Sequence, residues 1–305
     1  MIREWEQGTQ AFQYEEADGQ ITLLQWKGST PQVCVPEKID GVPVAAIGRK
    51  AFLSNKRIQE VFLPESISSI GDWAFAYCSR LAQISLPRHK LEFGKGPFLQ
   101  CEKLEQIILT KDGETVFPEE ESVCVGSLLA AVVYKLDDPY LLNTQEAGSR
   151  SWIQKWDARL LQVLQKPDRD GYSKTILCGE EDYGSMENNL EYFLSQKRRS
   201  KVRLAMLRLL YDKGLRPGLR KLLTDYLAAH TKGCTHEETW QVVKEEYGIR
   251  REYYDLLLET GALTEENFDA VLSDMGSELA EMKAYLLNIK EERFGNEGFF
   301  DSLTL

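Results

Sequence analysis

The sequence has no run of about 18 consecutive apolar residues, which is the length that a membrane-spanning helix requires. Its longest apolar stretch, VCVGSLLAAVV from Val123, is too short to cross a bilayer. The amino-terminal segment MIREWEQGTQAF carries charges with no apolar run behind them, unlike a secretory signal peptide. These absences predict a cytoplasmic protein that does not bind a membrane.

The sequence has fewer basic than acidic residues, with 37 Lys and Arg against 48 Asp and Glu, and its formal net charge is −11. An acidic chain repels phosphate backbones, so no nucleic-acid partner is expected. The basic run QKRRSKVR, from Gln196 to Arg203, could contact a phosphate or an acidic partner. Such a run is more typical of the solvated face of a helix.

Histidine is also scarce, with 3 residues in 305, and no HExxH or GxSxG motif occurs. The segment HTKGCTH brings His230, Cys234 and His236 together in the sequence. A structural zinc site usually has a second short-spaced pair of ligands, which is absent, so a connection between helices explains the segment better. Neither a metal nor a cofactor is expected.

The most conspicuous polar run is the acidic segment CGEEDYG (178–184), which contains Glu180, Glu181 and Asp182. Paired carboxylates can hold a metal or perform acid–base catalysis. Adjacent carboxylates on a loop point apart, however, and no histidine is close in the sequence, so a solvated loop is favoured. An enzyme that uses the Glu180–Asp182 loop is the alternative to a binding function.

Three consecutive segments of 23 residues share one pattern: KRIQEVFLPESISSIGDWAFAYC, SRLAQISLPRHKLEFGKGPFLQC and EKLEQIILTKDGETVFPEEESVC. A period of roughly 20–29 residues with L-x-x-I-x-L spacing is typical of a leucine-rich solenoid. The coinciding residues are Ile58, Leu81 and Leu104; Val61, Ile84 and Ile107; Leu63, Leu86 and Leu109; Gly48, Gly71 and Gly94; and Phe52, Phe75 and Phe98.

The physical reason for the period is that one short strand cannot bury its apolar side alone. Ile84 and Leu86 are two residues apart and point to the same side of a strand, so stacking coils buries them and pairs the backbone groups. The repeated glycine is expected to permit the turn, and the proline after the strand to end it. Phe52, Phe75 and Phe98 are predicted to form a continuous column.

None of the six cysteines forms a CxxC pair, and without an export signal they are expected to be free buried thiols. Cys78 and Cys101 occupy the same position in neighbouring coils. A disulfide between them is geometrically possible, but two separate buried thiols are favoured.

The pattern of residues 58–78, roughly L-x-x-I-x-L-P-x-x-I-x-x-I-G-x-x-A-F-x-x-C, resembles the BspA-like class of leucine-rich repeats, also found in treponemal proteins. The similarity extends over about residues 12–110 and includes a lead-in containing IDGVPV. The resemblance implies a solenoid that supplies a binding surface. Many members of the class are exported or attached to the cell surface, so an adhesin exported by an unseen route is a further alternative.

The fourth coil departs from the pattern, with Thr110 in place of proline and Glu121 in place of phenylalanine. We interpret it as the decayed end of the solenoid, with GSLLAAVVYKL covering the exposed core. The first domain is therefore placed at residues 1–145, with a β-rich amino-terminal lead-in.

From about Ser149 the apolar period changes to three and four residues, which predicts helices. We expect helix ends at Pro217, at a Thr235–Glu238 capping box, and at Gly214, Gly261 and Gly276. The second domain, residues 146–305, is thus predicted to be all-α. Its last fifty residues or so are similar to a degenerate ankyrin-type helix pair without the TPLHxA signature, and a generic helical bundle is the alternative.

The predicted fold class is α+β: an amino-terminal leucine-rich repeat solenoid of short strands and 23-residue coils, followed by an all-α helical domain. The predicted function is a non-enzymatic protein-interaction module or scaffold with an unknown protein partner. Solenoids bind through their stacked strands. Phe62 and Ile108 are apolar where water is expected, so they mark an interface, or else the helical half covers them. The predicted partner-binding residues are Glu60, Phe62, Gln83, Ser85, Gln106 and Ile108.

Overall fold

The computed structural model describes residues 1–136, 138–173, 189–231 and 237–294. The chain divides into two compact units, Met1–Leu160 and Leu161–Leu305. The change in apolar periodicity suggested a boundary at residues 145 and 146, whereas the units divide within a helix that runs from Arg150 to Gln165.

The first sheet begins as an antiparallel meander and continues as parallel rungs. Its strand order is β1-β2-β3-β6-β8-β10, and β5 pairs with β6 on the side. The strands are β1 (Ile2–Gln7), β2 (Gln10–Ala17), β3 (Gln20–Trp26), β5 (Lys38–Ile39), β6 (Val42–Ile47), β8 (Ser69–Ile70) and β10 (Glu92–Phe93).

The second sheet contains the strands of the predicted repeat. Its order is β12-β11-β9-β7-β4, and β4, β7, β9 and β11 are parallel. Glu60 pairs with Gln83, and Gln83 with Gln106, so each coil advances by the predicted 23 residues. The strands are β4 (Gln32–Cys34), β7 (Glu60–Phe62), β9 (Gln83–Pro87), β11 (Gln106–Lys111) and β12 (Glu114–Thr115).

The core of the solenoid is a stack of equivalent side chains, as the repeat predicted. The ring centroids of Phe52 and Phe75 are 4.6 Å apart with an interplanar angle of 12°. Those of Phe75 and Phe98 are 5.5 Å apart at 9°. Trp26 continues the column at 6.3 Å from Phe52. The aromatic column is therefore confirmed, and it begins in the amino-terminal meander.

The repeated glycine is required for a different structural reason from the one that the sequence suggested. Gly71 does not have a positive φ; instead, a Cβ atom there would lie 2.7 Å from the backbone nitrogen of Arg49. The left-handed turn residues are Lys50 and Trp73, with φ of 61° and 53°, and Gly96, with φ of 49°. Close approach between coils, rather than the turn itself, requires glycine at position 71.

The solenoid ends where the repeat departs from its pattern. Strand β11 continues through Thr110 and turns into β12 through Asp112 and Gly113, whose φ angles are 54° and 82°. Helix α1 (Glu119–Ala131) follows and packs against β11, with Leu128 and Leu129 fully buried. This helix covers the apolar end of the stack, since all its residues from Cys124 onward are buried.

The rest of the described chain is helical. The α-helices are α2 (Arg150–Gln165), α3 (Leu190–Leu210), α4 (Pro217–Ala229), α5 (Glu238–Glu246), α6 (Arg251–Glu259), α7 (Glu265–Asp274) and α8 (Ala280–Phe294). A π-helical turn (Val132–Leu136) and a 3-10 helix (Pro139–Leu141) lead to α2, whose Trp152 is buried. Helix α3 contacts α4, α5 and α6.

Several predicted helix ends can be compared with the structure. Pro217 begins α4, and Gly261 follows Thr260, the C-cap of α6, as a C′ glycine with φ of 67°. Gly214 has φ of 70° but lies three residues after Tyr211, the C-cap of α3, so that helix ends earlier than predicted. Gly276 directly follows Met275, the C-cap of α7, so this helix ends where it was predicted to end, although the φ of Gly276 is −73° rather than positive. Thr235 of the predicted capping box lies outside the described residues.

Helix α3 runs without a break from Leu190 to Leu210. The fold class is confirmed: a leucine-rich repeat solenoid of about four turns precedes a helical region. The ankyrin-type similarity of the last helices stays a prediction. Within the described ranges, no helix has both the length and the apolar character that crossing a membrane requires.

Candidate protein-interaction surface

The second sheet presents two parallel rows of side chains on its outer side, and we call these rows the strand face. They result from the register of β4, β7, β9 and β11, which places equivalent residues about 4.8 Å apart. One row consists of Gln32, Glu60, Gln83 and Gln106, and the other of Cys34, Phe62, Ser85 and Ile108.

The predicted binding residues therefore lie together, but they are not equally accessible. Phe62 is 37% exposed, which is unusual for phenylalanine, and Ile108 is half-buried. Ser85 is only 5% exposed, contrary to the expectation that it faces water. The short serine side chain lies in register between these two larger residues and offers little surface to a partner.

Hydrogen bonds hold the polar row in place. Gln32 Nε2 donates to Glu60 Oε2 at 2.9 Å. At the other end, Gln106 Nε2 donates to the carbonyl oxygen of Val123 at 3.3 Å and to Ser127 Oγ. Helix α1 thus covers the strand face near Gln106. Within this unit, the part of the strand face around Phe62 stays open.

Gln32 and Cys34 are members of the strand face that the 23-residue period missed. Gln32 pairs with Glu60, a spacing of 28 residues (60 − 32), because the coil between them is longer. A signal was present, since QVCVP at β4 matches EVFLP at β7 position by position. Cys34 is exposed, so the expectation of a buried thiol is wrong at this position.

The repeated cysteines inside the solenoid are free thiols, as expected. Cys78 and Cys101 are fully buried and form no disulfide. Burial raises the pKa of the Cys78 thiol to about 11. Burial, together with the neighbouring Cys78, raises the pKa of the Cys101 thiol to about 12. Both thiols are therefore protonated at neutral pH and act as hydrogen-bond donors.

A pocket of about 530 Å³ lies in the first unit, between the last coil corner and the segment after α1. Phe93, Pro97 and Val133 are among its apolar walls. Its two carboxylates already have partners, because Asp72 Oδ1 accepts from the Lys95 backbone nitrogen at 2.7 Å and Asp138 Oδ1 from the Tyr140 nitrogen at 3.2 Å.

Most of the basic run of α3 is neither a solvated face nor a free phosphate site. Lys197 is exposed, with its Nζ 5.3 Å from the centroid of the Phe193 ring. The other four of its five cations pair with carboxylates of the same unit: Arg198 with Asp168 and Glu238, Arg199 with Glu245 and Glu246, Lys201 with Asp168, and Arg203 with Glu246. Lys201 and Arg199 retain only 8% and 12% side-chain exposure. The run therefore joins α3 to α5 and to the segment after α2.

The remaining candidate sites give no chemical centre. The segment CGEEDYG, with Glu180, Glu181 and Asp182, lies outside the described residues, as do Cys234 and His236. His230 is described, and its Nδ1 donates to the Tyr226 carbonyl oxygen at 2.8 Å. Among the residues that have described positions, no group of three or more His, Cys, Asp or Glu is arranged to hold a metal.

Three crystal structures of bacterial leucine-rich proteins are similar to part of the chain. The Treponema pallidum leucine-rich repeat protein is 34% identical over 32% of this chain and 46% of its own, with a TM-score of 0.31. A Faecalibacterium prausnitzii leucine-rich cell surface protein is 20% identical over 35% of this chain and 30% of its own, with a TM-score of 0.30. A Bacteroides ovatus leucine-rich repeat protein is 22% identical over 34% of this chain and 29% of its own, with a TM-score of 0.30.

The chain thus spans less than half of the length of these three proteins. No curated protein gives a significant match. The family described as the BspA type leucine-rich repeat region matches residues 38–120, in six copies. This segment contains the stacked strands β7, β9 and β11 and the phenylalanine column. The solenoid of this chain is therefore similar to the BspA-type leucine-rich repeats.

Proposed function

We propose that this chain is a non-enzymatic protein-interaction module that binds a protein partner through the strand face. The observation that carries the proposal is the exposed ring of Phe62, set in a row with Cys34 and Ile108 on a rigid sheet. Aromatic side chains on a fixed backbone supply much of the binding energy of protein interfaces at little entropic cost.

The polar row supports the same function. Gln83 lies between Glu60 and Gln106 in the sheet, and these side chains carry both donors and acceptors. A partner that covers the aromatic ring also meets polar groups with defined positions. This combination of an apolar anchor and fixed polar groups is the usual composition of a specific interface.

The test is affinity capture from native cells with the full chain and with Phe62→Asp and Ile108→Asp. We expect each variant to lose the partner that the unchanged chain retains, because a buried carboxylate at the anchor costs several kcal/mol. Ile249→Asp is the control, since Ile249 is 82% exposed and belongs to the other unit. Retention of every partner by both strand-face variants would overturn the proposal.

We further propose that the protein acts in the cytoplasm. The free thiols of Cys78 and Cys101 support this location, because they occupy neighbouring coils and remain unpaired with each other. Cell fractionation tests this location, and recovery of the protein at the cell surface would favour the adhesin alternative.

The enzyme alternative has its own test. A hydrolytic activity that is lost on changing Glu180 to Gln would favour it.

A further inference from the structure

The edge of the solenoid just before the second sheet carries a row of cations with one member per coil. Arg57, Arg80 and Lys103 are 23 residues apart, and all three are exposed. We call these residues the basic row. Each stands three residues before the first residue of its strand, so the row runs along the border of the strand face.

The coils are in contact on both sides of the basic row, which fixes its spacing. Before the row, the Ser54 nitrogen donates to the Ala76 carbonyl oxygen at 2.8 Å. After it, the Ala82 nitrogen donates to the Gln59 carbonyl oxygen, also at 2.8 Å. Arg57 and Arg80 are thus carried by stacked backbones about 4.8 Å apart.

No member of the basic row forms an ion pair with the described residues. Other cations of the same unit do so: Arg3 bonds Glu16 at 2.8 Å, and Lys27 bonds Glu4 at 3.2 Å. Three like charges held at this spacing repel one another, and the chain as a whole carries a net charge of −11. An anionic ligand along the row would relieve the repulsion.

Exposed apolar side chains lie three or four residues before each member of the basic row in the sequence. Leu53, Tyr77 and Leu99 lie on the three successive coils and are 38%, 50% and 43% exposed. Tyr77 is three residues before Arg80. The edge therefore offers a strip of exposed apolar surface beside a strip of positive charge, and both follow the stacking direction.

We propose that this edge binds an acidic peptide segment of the partner protein that also carries apolar side chains. The inference rests on the proposed function and names the chemistry of the partner. An extended peptide places alternate side chains about 6.6 Å apart, a spacing that long Arg and Lys side chains can follow. Glu102, next to Lys103, is also exposed. A nucleic acid is disfavoured because the net charge of −11 repels a continuous phosphate backbone.

The test measures binding of a fluorescein-labelled peptide of about twelve residues, in which Asp and Glu alternate with Leu and Tyr, to the full chain by fluorescence anisotropy. The triple variant Arg57→Glu, Arg80→Glu, Lys103→Glu is compared with a control that reverses three other exposed lysines. Both variants change the net charge equally, and circular dichroism checks that both are folded. The control positions are Lys38, Lys90 and Lys111.

We expect the row variant to bind the acidic peptide at least about tenfold more weakly than the control, and the unchanged chain to bind it more weakly at high salt. Equal affinity of the row and control variants, or no binding by the unchanged chain at low salt, would overturn the inference. So would tighter binding of single-stranded oligothymidine through the same three residues. These results are independent of the strand-face test, because that test measures the capture of a partner by the Phe62→Asp variant and not the binding of the peptide.

Discussion

The thiol of Cys101 donates a hydrogen bond of 3.1 Å to the carbonyl oxygen of Phe75. The same bond, with the same length, joins Cys78 to Phe52 one coil earlier. Each thiol therefore reaches back 26 residues and links its coil to the preceding one. Cys78 and Cys101 therefore have a bonding role that a merely small buried residue would not supply.

Thiol labelling can distinguish these buried cysteines from the exposed one. At pH 8 the thiolate is the reactive species, and the raised pKa values of Cys78 and Cys101, about 11 and 12, leave almost none of it. We expect iodoacetamide to modify Cys34 in the native protein and to modify the two buried thiols only after unfolding. Peptide mass spectrometry reads each site separately. Native labelling of Cys101 at the rate of Cys34 would contradict the buried geometry.

The aromatic column predicts a large effect for one substitution. Phe75 is fully buried between Phe52 and Phe98, so Phe75→Ala removes two ring contacts and leaves a cavity. We expect a loss of about 3–5 kcal/mol in the free energy of unfolding. Urea denaturation followed by circular dichroism measures it. Phe62→Ala is the control, because its partly exposed ring should cost less than about 1 kcal/mol; equal losses would speak against the column.

The column was predictable because a solenoid repeats one local packing problem. Phe52, Phe75 and Phe98 each fill the same place in a coil of fixed length, so the period alone indicates that they stack. The identity of the strand face followed for the same reason. The accessibility of Ser85 did not, because it depends on the size of the residues in register with it.

Other features depend on contacts that no local period encodes. The basic run of α3 has the pattern of a solvated helix face, but Arg199 and Arg203 meet Glu246 more than 40 residues later. Such pairing is set by how the helices pack. Strand β4 was not predicted for a different reason. The longer coil after it breaks the 23-residue spacing, although the local motif around Cys34 is preserved.

A glycine substitution separates close packing from backbone conformation. Gly71→Ala would place a Cβ 2.7 Å from the backbone nitrogen of Arg49, although its own φ is permitted for alanine. We expect a destabilisation of about 1–3 kcal/mol, the usual cost of overpacking. Gly218→Ala meets open space at the start of α4 and should instead stabilise by up to about 1 kcal/mol. A neutral Gly71→Ala variant in thermal and urea unfolding would show that the coils can move apart freely.

The second unit contains a partly buried cluster of one carboxylate and two cations, which makes the stability of the fold depend on pH. Lys201 Nζ donates to Asp168 Oδ1 at 2.7 Å, and Arg198 Nε donates to Asp168 Oδ2 at 3.1 Å. Burial acts to raise the pKa of Asp168, but these two cations outweigh it and lower the pKa below its ordinary value. The folded state therefore binds the proton of this carboxyl more weakly than the unfolded state does.

It follows that Asp168 contributes stability in full above its unfolded pKa of about 3.9, and that this contribution is lost as pH falls from there through the lowered folded pKa. Asp168→Asn keeps an oxygen acceptor for Lys201 but removes the charge. We expect this variant to be less stable by about 1–3 kcal/mol at pH 7, because it leaves a nearly buried ammonium without its anion. The difference from the unchanged chain should shrink as the pH of urea denaturation is lowered from 5 towards 2.

The control is Asp225→Asn, in an exposed pair with Lys221, which should change stability by less than about 0.5 kcal/mol throughout this pH range. A constant difference between the Asp168 variant and the unchanged chain across that range would mean that the charge of Asp168 does not stabilise the fold.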